Sequence, residues 1–562
     1  MLGTQTSKFL LNPFQLSYWR GDVFGGVTTA IVSLPLALAF GVASGVGPTA
    51  GLYGAVCVGL FAALFGGTPT LISEPTGPMT VVMTTIVAQM LSLDPDQGLG
   101  MAFTVVMLAG ILQVIFGFFK LGKYITLMPY SVISGFMSGI GVILIILQIG
   151  PLLGQPTPRG GVIGTLQALP MLISNARWPE LALGLITIAL IMVWPKPWRR
   201  YLPPQLVALV VGTLLSLTVF GDGELRRIGE IPTGLPVLQV PVFEPQHWRV
   251  IMIDAFLLGI LGCIDTLLTS VIADSLTRTE HDSDKELIGQ GIGNFISGLC
   301  GGLPGAGATM GTVVNIQTGG KTHLAGVTRA LILLIIVLGA AQLTQPIPMA
   351  VLAGIAFKVG LDILDWSFLK RAHSVSLRGS LIMYGVLFLT VFVDLIVAVG
   401  VGVFVADILT IERLSQVQAK SIKLITDTDD DVRLSPEEKQ LLDLGKGRIL
   451  LFYLSGPMIF GLSKAIAREH NAMKVTDVLV MDLTDVPMMG VTASLAIENA
   501  IRDAVDKGAQ VFLVGASEKL QQRLERLGIF HIVPRNNLFT SRLQALQTAV
   551  QQLQQKGMIT LA

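Results

Sequence analysis

Charge is scarce in this sequence. Only 13% of its 562 residues are Asp, Glu, Lys or Arg, against about a quarter in an average soluble domain. Hydrophobic residues make up 52%, and the mean hydropathy is +0.69. That deficit excludes an ordinary soluble protein and predicts a chain embedded in the lipid bilayer. The net charge of +1 gives no sign of a nucleic-acid or acidic partner, and none is expected. Cysteine is nearly absent. Cys57, Cys263 and Cys300 all lie in apolar segments, with neither metal-ligand spacing nor a disulfide framework, so they read as small packing residues. Residues 1–20 lack the basic start, apolar core and small-residue cut site of a cleavable signal. Phe9-Leu-Leu11 and Tyr18-Trp-Arg20 suit an interfacial segment instead. No catalytic dyad, nucleotide loop or metal cluster is evident, so the chain is not expected to be an enzyme.

What is present divides in two. Residues 21–413 are apolar segments joined by short polar links, and residues 447–562 alternate strand-like and helix-like runs. Between them, 414–446 reads as a linker, with the acidic stretch Thr426–Asp431 and Ser435-Pro-Glu-Glu438 exposed to water. The first region offers fourteen candidate spans, near 22–40, 49–65, 76–91, 98–119, 125–148, 181–195, 205–220, 250–276, 286–301, 308–318, 325–343, 348–361, 378–392 and 394–412. Several fall short of the ~20 residues of a full crossing. Lys and Arg concentrate in the links after even-numbered spans: Lys120 and Lys123; Lys196, Arg199 and Arg200; Arg278 and Lys285; Lys321 and Arg329; Lys370, Arg371 and Arg378. By the positive-inside bias, both termini are then cytoplasmic. The exceptions, Arg159, Arg177, Arg226, Arg227 and Arg249, fall in two long loops, where the bias is weakest.

Two segments are too short for their surroundings. Pro304-Gly-Ala-Gly307 cannot be helical, whereas Ala308 to Gln317 can. In the first half, Ser73-Glu-Pro-Thr-Gly-Pro78 precedes Met79 to Met90 in the same way. Short, Gly/Pro-interrupted segments at matching places in two halves mark a transporter site near the midplane. Seven spans per half is odd, so the second half is inverted, and the two half-helices enter from opposite sides with their N-termini facing. Their free N–H groups and dipole ends favour an anion between them. Gly and Pro loosening ordinary membrane helices is the plainer alternative.

The eighth span carries Asp265 at its middle, where an acid costs roughly 2.5–3.5 kcal/mol on insertion scales. Thr269 shares its helical face at i+4, and Gly262 leaves room beside it. No Lys or Arg is expected at comparable depth. These oxygens, with the Gly307 carbonyl and the Thr309 hydroxyl, suit a hard cation, sodium or a proton; a protonated Asp bonded to a neighbouring helix is the alternative. Asp254 and Asp274 read as interfacial, Asp394 as part of a turn, and Glu74 as the lining of an entrance. The expected anion contacts are Thr76, the Ala308 N–H and Thr309; the expected cation ligands are Asp265, Thr269, Gly307 and Thr309.

Thr266–Ser275, His281–Asn294, Gly301-Gly-Leu-Pro-Gly305, Val314–Gly320, Gly51-Leu-Tyr-Gly54, Gly66-Gly67 and Thr76-Gly-Pro78 resemble the SulP family of anion permeases along essentially the whole chain. The resemblance implies a seven-plus-seven inverted repeat shared with uracil permeases, split into core and gate domains, with substrate between the third and tenth helices. Position 265 is more usually Glu in that family. The shorter Asp leaves room for a metal ion and makes the chain most similar to sodium-dependent bicarbonate carriers of cyanobacteria. Bicarbonate as substrate and sodium as coupling ion rest on that resemblance. They imply symport into the cell by alternating access, in the plasma (inner) membrane. A sodium- or proton-coupled sulfate permease is one alternative; an anion channel or membrane sensor signalling through the C-terminal domain is another.

In that domain, Arg448–Leu454, Val475–Leu483 and Gln510–Val514 read as strands, and Phe460–His470, Thr492–Val505 and Glu518–Leu527 as helices, an α/β layer. It resembles the STAS domains of the same permeases and of anti-sigma-factor antagonists. The phosphorylated Ser of the latter corresponds to Thr492 in Gly490-Val-Thr-Ala493, without the preceding Asp. Thr492 is therefore a candidate regulatory hydroxyl, or simply a helix N-cap, and the domain is expected to regulate transport or to hold a homodimer.

Overall fold

The computed structural model describes residues 11–13, 16–125, 129–158, 160–195, 197–198, 203–219, 225–228, 236–339, 345–393, 395–419, 422–425, 434–458 and 476–559. Two compact units emerge, Met1–Phe404 and Val405–Ala562.

All fourteen apolar segments form helices. They are α1 (Trp19–Ala43), α2 (Pro48–Phe65), α3 (Gly77–Leu93), α4 (Gly98–Phe118), α5 (Tyr130–Leu147), α6 (Trp178–Val193), α7 (Pro204–Val219), α8 (Trp248–Thr277), α9 (Ser283–Leu299), α10 (Thr309–Gln317), α11 (Leu324–Gly339), α12 (Met349–Ile363), α13 (Leu377–Phe392) and α14 (Leu395–Ala419). A backbone in lipid has no water to bond, so an apolar run of this length has helix as its stable state. Among the described residues, five stretches are long and apolar enough to cross a membrane unaided: Leu16–Ala43, Pro48–Phe65, Gly98–Phe118, Tyr130–Leu152 and Trp248–Thr277. Helices not foreseen also form in the links between spans, among them Gly161–Ser174 and Trp366–Val375. Gly161–Ser174 lies in the link before α6 and bends from it by 117°; only 14 residues long and with Pro170 inside it, it falls short of a span and reads in sequence as part of a long loop.

In the first unit, α1–α4 and α8–α11 pack together, while α5, α6, α7, α12 and α13 form a second group. Lipid supplies no hydrophobic drive between helices, so close approach rests on small residues. Between α4 and α9, a Cβ on Gly110 would lie 2.5 Å from the Gly291 carbonyl, and one on Gly291 2.5 Å from that of Gly110. Outward side chains such as Phe24, Phe118, Leu214 and Ile335 are exposed and apolar, as a lipid-facing surface requires.

The second unit is built on a five-stranded sheet in sequential order: β3 (Ile422–Ile425), β4 (Ile449–Ser455), β5 (Val478–Asp485), β6 (Gln510–Val514) and β7 (Leu538–Phe539). Only the β3–β4 pair is antiparallel. Alternation sorts its side chains. Leu450, Phe452, Leu479 and Met481 pack with Ile497 and Ile501 of α16 (Val491–Asp506) and Leu520 of α17 (Glu518–Arg526). Ile449, Leu451, Val480 and Phe512 pack with Leu442 of α15 (Pro436–Leu444) and Leu546 of α18 (Arg542–Gln555).

The segment read as a linker thus contributes β3 and α15 to this layer, with Ser435 and Glu438 closing a capping box at the start of α15. The helix expected over Phe460–His470, the acidic stretch 426–431 and Asp394 lie outside the described residues. Gly490, not Thr492, is the N-cap of α16; Thr492 is its second residue and is exposed.

The Gly110–Gly291 contact yields a first prediction. Gly291→Val must push α9 off α4, an overpacking cost of about 1–3 kcal/mol. A lowered thermal midpoint of the detergent-solubilised protein is expected; an unchanged midpoint would refute the contact.

Candidate functional site

The site is organised by two strands of two residues each. β1 (Ser73–Glu74) pairs antiparallel with β2 (Ala306–Gly307), in the register Ser73↔Gly307 and Glu74↔Ala306. Each leads into a helix that starts inside the protein: α3 after Thr76, α10 after Ala308. The antiparallel register brings the two helix starts together from opposite directions, as an inverted repeat requires. In α10 the first intrahelical bond is Thr312 N–H to Ala308 O. The amides of Thr309, Met310 and Gly311 therefore precede any carbonyl partner in their own helix.

One expected contact is corrected. The Ala308 N–H donates to Ile72 O at 2.8 Å, which extends the pairing past the strands. It is thus committed to the backbone and cannot face an anion.

α8 supplies the third wall. The Thr76 hydroxyl donates to Asp265 Oδ2 at 2.7 Å. Thr269 donates to the Gly307 carbonyl at 2.8 Å and lies 2.9 Å from Thr309 Oγ1. A hydroxyl carries one proton; with Thr269's on Gly307, Thr309 must be the donor to Thr269. Two hydrogen-bonded sets, Thr76–Asp265 and Thr309–Thr269–Gly307, thus meet α8 one helical turn apart on the same face, and Asp265 is 6% exposed. Carboxylate, hydroxyl and carbonyl oxygens are hard donors, the set that fits a small hard cation.

Several supporting residues escaped the sequence reading. Thr266 accepts the Gly307 N–H at 3.1 Å. Asn294 of α9 clamps Gly305 from both sides, donating to its carbonyl at 2.9 Å and accepting its N–H at 2.8 Å. On α10, Thr312 accepts the Ile72 N–H and Asn315 donates to Thr70 O. Polar residues at helical spacing beside a Gly/Pro break were the available signal.

The largest revision concerns Arg329. Its place near the start of a span assigned it to a cytoplasmic link, and no cation was expected at depth. It is fully buried in α11. Its guanidinium donates to Glu74 Oε2 at 2.5 Å, Ser73 O at 3.0 Å, Ser33 Oγ at 2.9 Å and Ala55 O at 3.3 Å. Glu74, expected at an entrance, is 3% exposed and is the counter-ion. The pair fixes β1 just before α3 while contributing little net charge to the site. Asp254, read as interfacial, is also buried, while Asp274 binds His281 Nδ1 at 2.6 Å.

Comparison with known proteins follows the same division. Residues 19–386 match the sulfate permease family and residues 443–557 the STAS domain. The bicarbonate transporter BicA of Synechocystis sp. is 63% identical over 541 residues, 96% of each chain. The solved transmembrane domain of a cyanobacterial bicarbonate transporter BicA superposes with TM-score 0.66 at 65% identity, over 69% of this chain and 100% of that one. The murine solute carrier 26 member A9 anion transporter, inward-facing, superposes with TM-score 0.80 at 20% identity over 96% and 92% of the two chains, a likeness of fold.

Removing one partner of a buried ion pair strands the other, at about 3–5 kcal/mol. Arg329→Met and Glu74→Gln should each lower thermal stability and transport sharply. The double variant should be less damaged than the sum of the singles; additive losses would show that the two charges do not support each other.

Proposed function

The chain belongs to the sulfate permease family and carries its STAS domain, and from that premise we propose that it is a secondary active transporter bringing bicarbonate into the cell with sodium. One observation carries the reading: two half-helix N-termini converge on a buried carboxylate–hydroxyl–carbonyl cluster. The anion lies against the starts of α3 and α10, near Thr76 and Thr309 and the amides that follow Thr309, where the dipole ends favour negative charge. Sodium is held by Asp265, Thr269, the Gly307 carbonyl and Thr309. Bicarbonate as the anion follows the high identity to BicA, whose name states its substrate.

Without its cation, Asp265 repels an anion; with sodium bound, that repulsion turns into attraction. Each ion then raises the affinity for the other by the same factor, as linkage requires. Alternating access follows from rocking the group that carries α3 and α10 against the group containing α5, α6, α7, α12 and α13. The Lys/Arg bias favours cytoplasmic termini in the plasma (inner) membrane, and transport rather than catalysis is the activity.

Asp265→Ala is expected to abolish sodium-driven uptake of labelled bicarbonate into proteoliposomes while the protein still assembles. Thr269→Val should raise the half-saturating sodium concentration roughly 10-fold. Full sodium-driven uptake by the Asp265 variant would sink the assignment. Sulfate concentrated under the same gradient would favour a sulfate permease.

The STAS domain is read as a homodimer contact, supported by exposed Met488, Val491 and Leu495 around the start of α16. Val491→Asp with Leu495→Asp should shift the solubilised protein from dimer to monomer in light scattering. An unchanged mass overturns that part.

A further inference from the structure

Glu286, in the first turn of α9, is 1% exposed. Its Oε2 accepts the N–H groups of Gly67 and Thr68 at 2.8 and 2.7 Å, in the link between α2 and β1. Its Oε1 is buried and has no hydrogen-bond partner. Gln290 follows one helical turn later on the same face. It is fully buried, and neither end of its amide has a partner. Buried polar atoms are nearly always satisfied, and a buried carboxylate with half its acceptor capacity unused is costly.

Among the described residues, no Lys or Arg lies within ion-pair distance of Glu286. Lys285, its neighbour in sequence, donates to Asn12 Oδ1 at 2.6 Å. His281 is bound to Asp274, and Asp282 caps α9 through the Lys285 N–H. The site also connects to the one already described. Thr68 Oγ1 donates to Ser270 Oγ at 3.0 Å, Ser270 donates to Thr266 O at 3.0 Å, and Thr266 holds the Gly307 N–H. A chain of buried hydrogen bonds, passing through the backbones of Thr68 and Thr266, thus links Glu286 to Gly307.

We propose that Glu286 and Gln290 form a second monovalent-cation subsite, at which sodium pauses between the Asp265 cluster and the cytoplasm. The ligands are Glu286 Oε1 and the Gln290 carbonyl oxygen, which the unpartnered amide is free to aim. Both orphaned oxygens are hard donors of the kind a small hard cation takes; a proton on Oε1 would also bridge to the Gln290 oxygen, and the pH profile of uptake separates the two. The direction of passage rests on the sodium symport and orientation proposed above.

Equilibrium binding of radiolabelled sodium to the purified full-length protein tests this. Asp265→Asn should retain saturable sodium binding, and Asp265→Asn with Glu286→Gln should lose it. Glu286→Gln keeps an oxygen for the Gly67 and Thr68 amides, so the fold is expected to survive. Should it not, Gln290→Leu in the Asp265→Asn background gives an independent reading: half-saturation rises roughly 10-fold. Sodium binding by wild type that vanishes entirely in Asp265→Asn overturns this subsite and leaves the symport reading standing. Binding unaffected by Asp265→Asn but lost in Glu286→Gln supports the subsite and overturns the Asp265 assignment. Unchanged sodium stoichiometry in Glu286→Gln, with a shifted pH profile of uptake, means that Glu286 exchanges a proton and overturns the proposal.

Discussion

The antiparallel pairing of Ser73–Glu74 with Ala306–Gly307 is the interaction on which the membrane unit depends. A helix that begins inside a bilayer leaves its first amides without carbonyls, and lipid offers nothing in exchange. Two such helices in one protein would be a liability if they began at separate places. Joined through β1 and β2, their starts meet at one point, where Thr76 caps the Met79 amide of α3 and the first amides of α10 lack carbonyl partners in their own helix, the place at which the proposed anion would stop. Everything else near the crossing serves to hold it. Asn294 clamps Gly305, Thr266 holds Gly307, and Thr312 and Asn315 tie α10 to residues 70–72.

The buried charges near this crossing are handled in three different ways. Arg329 and Glu74 are matched to each other, and the remaining guanidinium protons are taken by Ser33, Ser73 and Ala55, so the pair acts as a rigid tie. Asp265 has a hydroxyl donor but no cationic partner among the described residues. Glu286 has backbone donors on one oxygen only. A fully compensated pair gains little from binding an ion, whereas an undercompensated carboxylate gains a great deal. The degree of compensation thus separates the structural charge from those proposed to exchange ions.

Much of this was legible in the sequence, because the relevant signals are local. Hydropathy located the fourteen helices, and the Gly/Pro breaks at Ser73–Pro78 and Pro304–Gly307 located the half-helices. An acid in the middle of an apolar run located Asp265. Three of the failures share one cause, since each depends on a partner distant in sequence. The Ala308 amide was offered to an anion because nothing local reveals Ile72 as its acceptor. Arg329 was counted as a cytoplasmic charge because the positive-inside bias reads only distance from a helix end. Its counter-ion, Glu74, is 255 residues away. The strand Ile422–Ile425 looked like linker because four residues acquire strand character only beside β4.

The same reasoning bears on how such a site can move. A site made from side chains on several helices would be torn apart by any rearrangement of those helices. Here the helix starts at Thr76 and Ala308 and the Gly307 carbonyl belong to backbone segments that pair with each other, and α8 is bonded to both through Asp265–Thr76 and Thr269–Gly307. Glycine contacts such as Gly110–Gly291 lock α4 against α9 in the same helix group. Relative motion is then least costly between the two groups of helices, where the site is bounded, and most costly within the group that carries it. The close packing that builds the ion site is therefore also what allows it to be carried as a unit.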